Sequence, residues 1–251
     1  MNYSLVFRTL LIFAVAFVGN AQAEDAAKKA AGSFEALTGE KTPLKKGEAI
    51  AFFGDSITAA GARKGGYCKL LAEAIAAAHP KLEVKPIYAG ISGHKVPNLQ
   101  GRLDRDVLSK NPTVVFIYIG INDVWHGKNG TPKVKFDAGL RDLIKKISDA
   151  GATIVLATPS VIGEKTDGSN KLDGLLDEYA EISRKVAKDT GVTMCDLRAG
   201  FINRLKEINP DNKPRGLLTG DTVHLNAAGN QFVAELAAAS IAEALKKRNS
   251  K

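Results

Sequence analysis

A serine hydroxyl becomes a useful nucleophile only when a base takes its proton, and the base works best when a third group fixes its tautomer. The sequence offers such a set at two distant places. Ser56 stands directly after the apolar run "AIAFFG", and far downstream "GDTVHLNAAG" holds Asp221 and His224 three residues apart. If that segment is a turn leading into the last helix, the spacing sets both side chains on one side. Asp221 then holds Nδ1–H of His224 while Nε2 faces Ser56, which is the arrangement for acyl transfer to serine. Taken singly, each piece has an ordinary structural use: Gly-Asp-Ser is a common turn, and Asn226 or Asp221 would serve as a helix N-cap.

The elements that must carry these groups are written in the hydropathy pattern. Apolar runs of strand length ("AIAFFG", "EVKPIYAG", "TVVFIYIG", "ATIVLAT", "VTMCDL") alternate with stretches of helical periodicity. After the first run Tyr67, Leu70, Leu71, Ala74, Ile75 and Ala78 share one helical face, and Val233, Leu236, Ala237, Ile241 and Leu245 share another near the end. Strand and helix alternating, with strands apolar throughout, predict an α/β fold with a parallel sheet of about five strands covered on both faces. Ligands of such sheets bind beyond the carboxyl ends of the strands. The segments to inspect are therefore "GDS", "GISGH", "GINDVWHG" and "PSVIGEKTDGSN", each following a run.

"FFGDSIT", "GISGH", "YIGIND" and "DTVH" together resemble the four sequence blocks of the SGNH hydrolase superfamily, the GDSL-type esterases and lipases, in order and approximate spacing. The resemblance spans about Ala49 to Leu245 and implies a flavodoxin-like three-layer α/β/α sandwich acting without cofactor or metal. It also implies roles: Ser56 as nucleophile, His224 as base, Asp221 as its orienting carboxylate, and an oxyanion hole from the Ser56 N–H, Gly93 and Asn122. Preorganised donors of that kind are each worth roughly 10²–10³ in rate. Gly90 rivals Gly93; Gly93 is preferred because it ends the Ser-Gly pair. One departure is visible: the second block often has an asparagine before its glycines, where this chain reads "YAGISGH". Asp55 and Asp123 are read as carboxylates that tie loops down. His94, Trp125 and His126 lie in loops at the same edge and are candidate substrate contacts; His79, before Pro80, is read as a helix cap or surface group.

Outside this domain, placed at residues 47–248, the chain opens with Arg8, an apolar run from Thr9 to Val18, and "GNAQAED" with Ala21 and Ala23 at the minus-three and minus-one positions of a signal-peptidase site. Residues 1–23 are accordingly expected to be a cleaved secretory signal, giving a secreted or periplasmic protein without stable membrane insertion. Residues 24–46 read as a polar linker with one loose helix, "EDAAKKAAGSFEAL". Cys68 and Cys195 are too few for a disulfide scaffold, have no partners at zinc-ligand spacing, and are expected as buried thiols. The net charge of +8 is spread along the chain apart from the tail "KKRNSK", read as a solvated helix end, so nucleic acid is not expected as a partner.

Gly-x-Ser-x-Gly, Walker and dinucleotide-binding patterns are absent from the sequence. The reading is an exported serine esterase. The polar, glycine-bearing loops Val124 to Lys135 and Ser160 to Lys171 favour a hydrated sugar over a long acyl tail, hence a carbohydrate O-acetyl ester. Lysophospholipase or thioesterase activity is the rival enzyme reading. A glycan-binding module without turnover, and electrostatic binding of anionic polymer, are rivals of another class.

Overall fold

The computed structural model describes residues 34–250; residues 1–23, expected from the sequence to be a signal, and residues 24–33 lie outside the described residues. Five parallel strands form one sheet in the order β2-β1-β3-β4-β5: β1 Ala49–Gly54, β2 Lys85–Gly90, β3 Val114–Tyr118, β4 Thr153–Ala157 and β5 Thr193–Cys195. This is the flavodoxin-like order, and the chain reverses its direction of travel across the sheet between β1 and β3. β1 and β3 are buried along their whole length, as central strands with helices on both faces must be. β2 lies at an edge, where exposed Lys85 and Pro86 cost no ladder hydrogen bond.

The helices, in chain order, are α1 Glu35–Thr38, α2 Ser56–Gly61, α3 Tyr67–Ala78, α4 Val96–Asp106, α5 Ile121–Trp125, α6 Lys133–Asp149, α7 Asp173–Thr190, α8 Leu197–Ile208 and α9 Ala227–Asn249. α4, α6 and α7 pack in succession in one layer, while α9 contacts α3, α1, β4 and β5 in the other. The five expected strands are all present, β1 coinciding with its apolar run and the other four shorter than theirs. Asn226, not Asp221, caps α9, its side chain accepting from the Gly229 N–H at 3.0 Å. Cys68 and Cys195 are free and buried. No helix among the described residues is long and apolar enough to cross a membrane.

Two sequence expectations change at the termini. From Phe34 on, the segment read as linker is packed: Phe34, Leu37 and Leu44 are buried in the common core, and α1 rests against α3 and α9. The apolar residues were too few and too widely spaced among polar neighbours to display a helical face. The basic tail is also not wholly solvated. Arg248 pairs with Glu48, whose side chain is buried, and Asn249 Nδ2 donates to the Pro43 carbonyl at 2.9 Å. The C-terminal turn therefore closes over the start of β1, where an unpaired buried carboxylate would be costly.

Candidate active site

β1 ends at Gly54, and Asp55 turns the chain into α2, its Oδ1 accepting the Ile57 N–H at 2.9 Å. That cap places Ser56 at the first position of α2, at the carboxyl edge of the sheet. No group among the described residues accepts from the Ser56 N–H. At the other end of the chain, Thr219 and Leu225 form an antiparallel bridge and the Gly220 N–H donates to the His224 carbonyl at 2.8 Å. The tight loop between them carries Asp221 and His224. Thr222 inside it has φ +93°, which a β-branched residue adopts only under constraint. The constraints are visible: Asp221 Oδ1 accepts the Val223 and His224 N–H groups at 3.0 and 2.7 Å, and the Thr222 carbonyl accepts from the Gly163 N–H at 2.8 Å.

The loop brings His224 onto the serine. His224 Nε2 lies 2.9 Å from Ser56 Oγ and Nδ1 lies 2.7 Å from Asp221 Oδ2. A carboxylate accepts only, so Nδ1 carries the hydrogen and Nε2 presents a lone pair to the hydroxyl. Burial alone would raise the Asp221 carboxyl; the hydrogen bonds from His224 and Val223 and the nearby imidazole charge outweigh it and hold the group at about 2. The carboxylate thus stays ionised beside the imidazole at every pH at which the protein would work.

Asn122 sits at the start of α5, buried, and reaches the same corner. Its Nδ2 donates to Asp55 Oδ2 at 3.3 Å and to the His94 carbonyl at 3.1 Å, while Oδ1 faces His126 Nε2 at 3.1 Å. The amide is therefore present beside the nucleophile turn with both hydrogens engaged, the contact to Asp55 being the longer. Gly93 lies in the exposed loop after β2 with φ +76°, a backbone setting that favours glycine, and its N–H has no acceptor among the described residues. Gly90 serves a different end. A Cβ there would sit 2.2 Å from the Ala59 nitrogen, so its missing side chain lets β2 lie against α2. Of the two glycines, Gly93 is the one placed with a free donor.

The acidic residues flanking the site behave as loop ties. Asp123 Oδ1 accepts the Val96 N–H at 3.1 Å, joining the turn after β3 to the start of α4, and burial pushes its carboxyl up. Asp55 is fully buried; burial pushes its carboxyl up to about 7, against the pull of the Ile57 N–H and with the Asp123 charge adding to the rise. Trp125 is 44% exposed and lines, with Asn122 and His126, a cavity of about 250 Å³. His94 has its Nδ1 taken by Arg102 Nε at 3.0 Å, which leaves Nε2 as the ring's other polar atom. His79 stands at the C-terminal end of α3, as a cap.

Two buried charged residues support the site and escaped sequence reading. Arg102 holds the ends of β1 and β2 from α4; its one signal is that an arginine sits on the face shared by Leu99 and Leu103, both buried. Glu164, in the loop after β4, accepts from the Leu217 N–H (2.8 Å), the Leu218 N–H (2.8 Å), the Thr219 N–H (2.5 Å) and the Thr219 hydroxyl (2.7 Å). It anchors the segment Leu217 to Thr219 that leads into the Asp221–His224 loop. The first half of a segment expected to be a polar wall of the substrate site is instead its buried foundation, since Val161, Gly163 and Glu164 are all buried.

A doubly wound α/β protein with Ser, His and Asp joined at its switch point defines a class of hydrolase, and the comparisons agree. Residues 52–232 match the GDSL-like Lipase/Acylhydrolase family. An acetylxylan esterase of Geobacillus stearothermophilus is 31% identical over 211 residues, 76% of this chain and 92% of that protein. An isoamyl acetate-hydrolyzing esterase 1 homolog of Rattus norvegicus is 27% identical over 204 residues, 73% of this chain and 77% of that one. Among solved structures, an acetyl xylan esterase named AlAXEase superposes with TM-score 0.74 at 44% identity, covering 75% of this chain and 97% of its own. The acetylxylan esterase Axe2 of Geobacillus stearothermophilus gives 0.71 at 28% identity, with 80% and 96% covered. The chain belongs to the GDSL-like lipase/acylhydrolase family. It is an ester-hydrolysing enzyme with the α/β fold of the SGNH esterases.

Proposed function

We propose that this enzyme is an exported serine esterase that removes O-acetyl groups from a carbohydrate, by way of an acetyl-Ser56 intermediate. The observation that carries the reading is the continuous contact from Asp221 through His224 to Ser56, 2.7 and 2.9 Å long. His224 Nε2 takes the Ser56 proton as Oγ attacks the acetyl carbonyl, and Asp221 stabilises the imidazolium that forms. The new oxyanion is met by the unpartnered N–H groups of Ser56 and Gly93 and by Asn122 Nδ2, which exchanges its long contact to Asp55 for the stronger charge. Collapse returns the proton from His224 to the leaving sugar hydroxyl. Water, activated by the same nitrogen, then releases acetate and restores Ser56.

The sugar reading rests on relatives that act on acetylated xylan and on the half-exposed Trp125 beside Asn122, an aromatic face of the kind that packs on a sugar ring. The export reading rests on the signal-type composition of residues 1–23. Steady-state assays on acetyl, butyryl and octanoyl esters beside an acetylated xylooligosaccharide test the substrate. The acetylated oligosaccharide is expected to give the highest kcat/KM; a maximum at octanoyl would favour a lysophospholipase or thioesterase. Ser56→Ala is expected to abolish turnover with little change in Tm, and glycan binding without turnover in the wild-type protein would mark a binding module.

A further inference from the structure

Arg102 is almost wholly buried, at 4% exposure, and only one of its three nitrogens, Nη1, is paired with a carboxylate, that of Asp106. Its guanidinium is divided among several acceptors. Nη2 donates to the Gly54 carbonyl at 2.6 Å, Nη1 to the Ala89 carbonyl at 2.9 Å and to Asp106 Oδ2 at 3.0 Å, and Nε to His94 Nδ1 at 3.0 Å. Its Cζ also lies 4.6 Å from the centre of the Phe53 ring. Gly54 is two residues before Ser56, Ala89 is near the end of β2, and His94 adjoins Gly93. One cation thus ties the nucleophile turn to the loop that carries the expected oxyanion donor.

The contact to His94 also has a chemical consequence. An arginine nitrogen donates and never accepts, so Nδ1 of His94 must present its lone pair. The imidazole is then neutral with its hydrogen on Nε2. Protonation would put a hydrogen on Nδ1, facing the guanidinium. The charged groups around it on α4 are Arg102, Arg105 and Asp106, and burial together with the two arginines lowers its basicity against the pull of Asp106. His94 is linked further through its carbonyl, which accepts from Asn122 Nδ2 at 3.1 Å. The residue that Arg102 fixes therefore lies between Gly93 and the amide of Asn122.

We propose that Arg102 is a positioning residue of the ester-cleaving site: through Gly54, Ala89 and His94 it sets the register between the Ser56 turn and the Gly93 loop, and it locks His94 as the neutral Nε2–H imidazole. This rests on the reading of Ser56, Gly93 and Asn122 given above for its catalytic consequence, while the tautomer follows from the contact alone. Lysine cannot replace it, because an ammonium has no planar set of donors able to reach three elements at once.

The test has two parts. In ¹⁵N-labelled wild-type protein, long-range ¹H–¹⁵N spectra are expected to show His94 as the Nε2–H tautomer from pH 5.5 to 8, without titration. In Arg102→Lys and Arg102→Met the ring is expected to titrate or exchange tautomers in that range. With an acetyl ester, Arg102→Lys should lower kcat by about 30-fold or more while KM stays within about threefold, the pattern of a misplaced oxyanion site. An Nδ1–H tautomer or an ordinary titration of His94 in the wild-type protein overturns the proposal, and so does an Arg102→Lys enzyme with undiminished kcat. If Arg102→Met does not fold, the wild-type spectra and the lysine variant decide. Should Ser56→Ala retain turnover, the serine reading fails while the tautomer result still stands or falls by itself.

Discussion

Glu164→Gln isolates the part played by the buried loop anchor. Glu164 is fully buried, and its two oxygens accept four hydrogen bonds, three at Oε1 and one at Oε2. Glutamine fits the same space but keeps one acceptor. With its oxygen at the Oε1 position, its NH₂ group meets the Leu217 N–H head on. One charge-assisted bond worth about 1.5–3 kcal/mol is lost, the stranded Leu217 N–H costs about 1–3 kcal/mol more, and relief of the buried charge offsets part of this. The net loss is about 3 kcal/mol, or a fall of roughly 6–12 °C in Tm for a domain of this size. Because the same anchor leads into the loop of Asp221 and His224, kcat on an acetyl ester should fall by on the order of 10- to 100-fold, the effect of a displacement near 1 Å or less. Urea unfolding and steady-state kinetics on purified wild-type and variant protein read both. A variant within 1 kcal/mol of wild type and with normal kcat would refute the reasoning, and would leave the Thr219–Leu225 bridge as the element that holds the loop.

Two further outcomes follow from other parts of the site. Burial raises the Asp55 carboxyl to about 7, above its unfolded value, so the folded protein binds the extra proton. The stability it contributes is full below about pH 4 and is lost as pH rises through 7, on the order of 4 kcal/mol in all. Asp55→Asn keeps an oxygen for the Ile57 N–H and should gain relative to wild type between pH 5 and pH 8; a difference in Tm that does not change with pH would contradict this. Thr222→Gly relieves the positive φ in the Asp221–His224 loop and should leave Tm equal or higher, while kcat falls several-fold because the loop is less confined. A variant with lower Tm and unchanged kcat would show that the backbone there is not strained.

The parts of this account that were legible in the sequence are those with a periodic or clustered signature. The five strands show as apolar runs because central parallel strands are buried on both faces, and their carboxyl ends mark where Ser56 and the Asn122 and Gly93 loops converge. Asp221 and His224 show because three residues of separation lets a carboxylate reach both the backbone N–H of His224, with Oδ1, and its ring, with Oδ2. What stayed hidden depends on long-range pairing. Nothing local to Glu164 foretells that its partners lie more than fifty residues on, at Leu217 to Thr219. Arg102 is one cation in a basic amphipathic helix until β1 and β2 are laid beside it. Phe34, Leu37 and Leu44 are scattered apolar residues until α3 and α9 supply the surface that buries them.

The central claim is that a hydroxyl near the beginning of the folded domain and an imidazole near its end act as one nucleophilic unit. A fluorophosphonate probe followed by peptide mapping measures it directly. Wild-type enzyme is expected to be modified once, at Ser56, with activity lost in proportion, and His224→Ala is expected to react at least about 10³-fold more slowly. Labelling at another residue, or an unlabelled Ser56 in a protein that still cleaves acetyl esters, would contradict it.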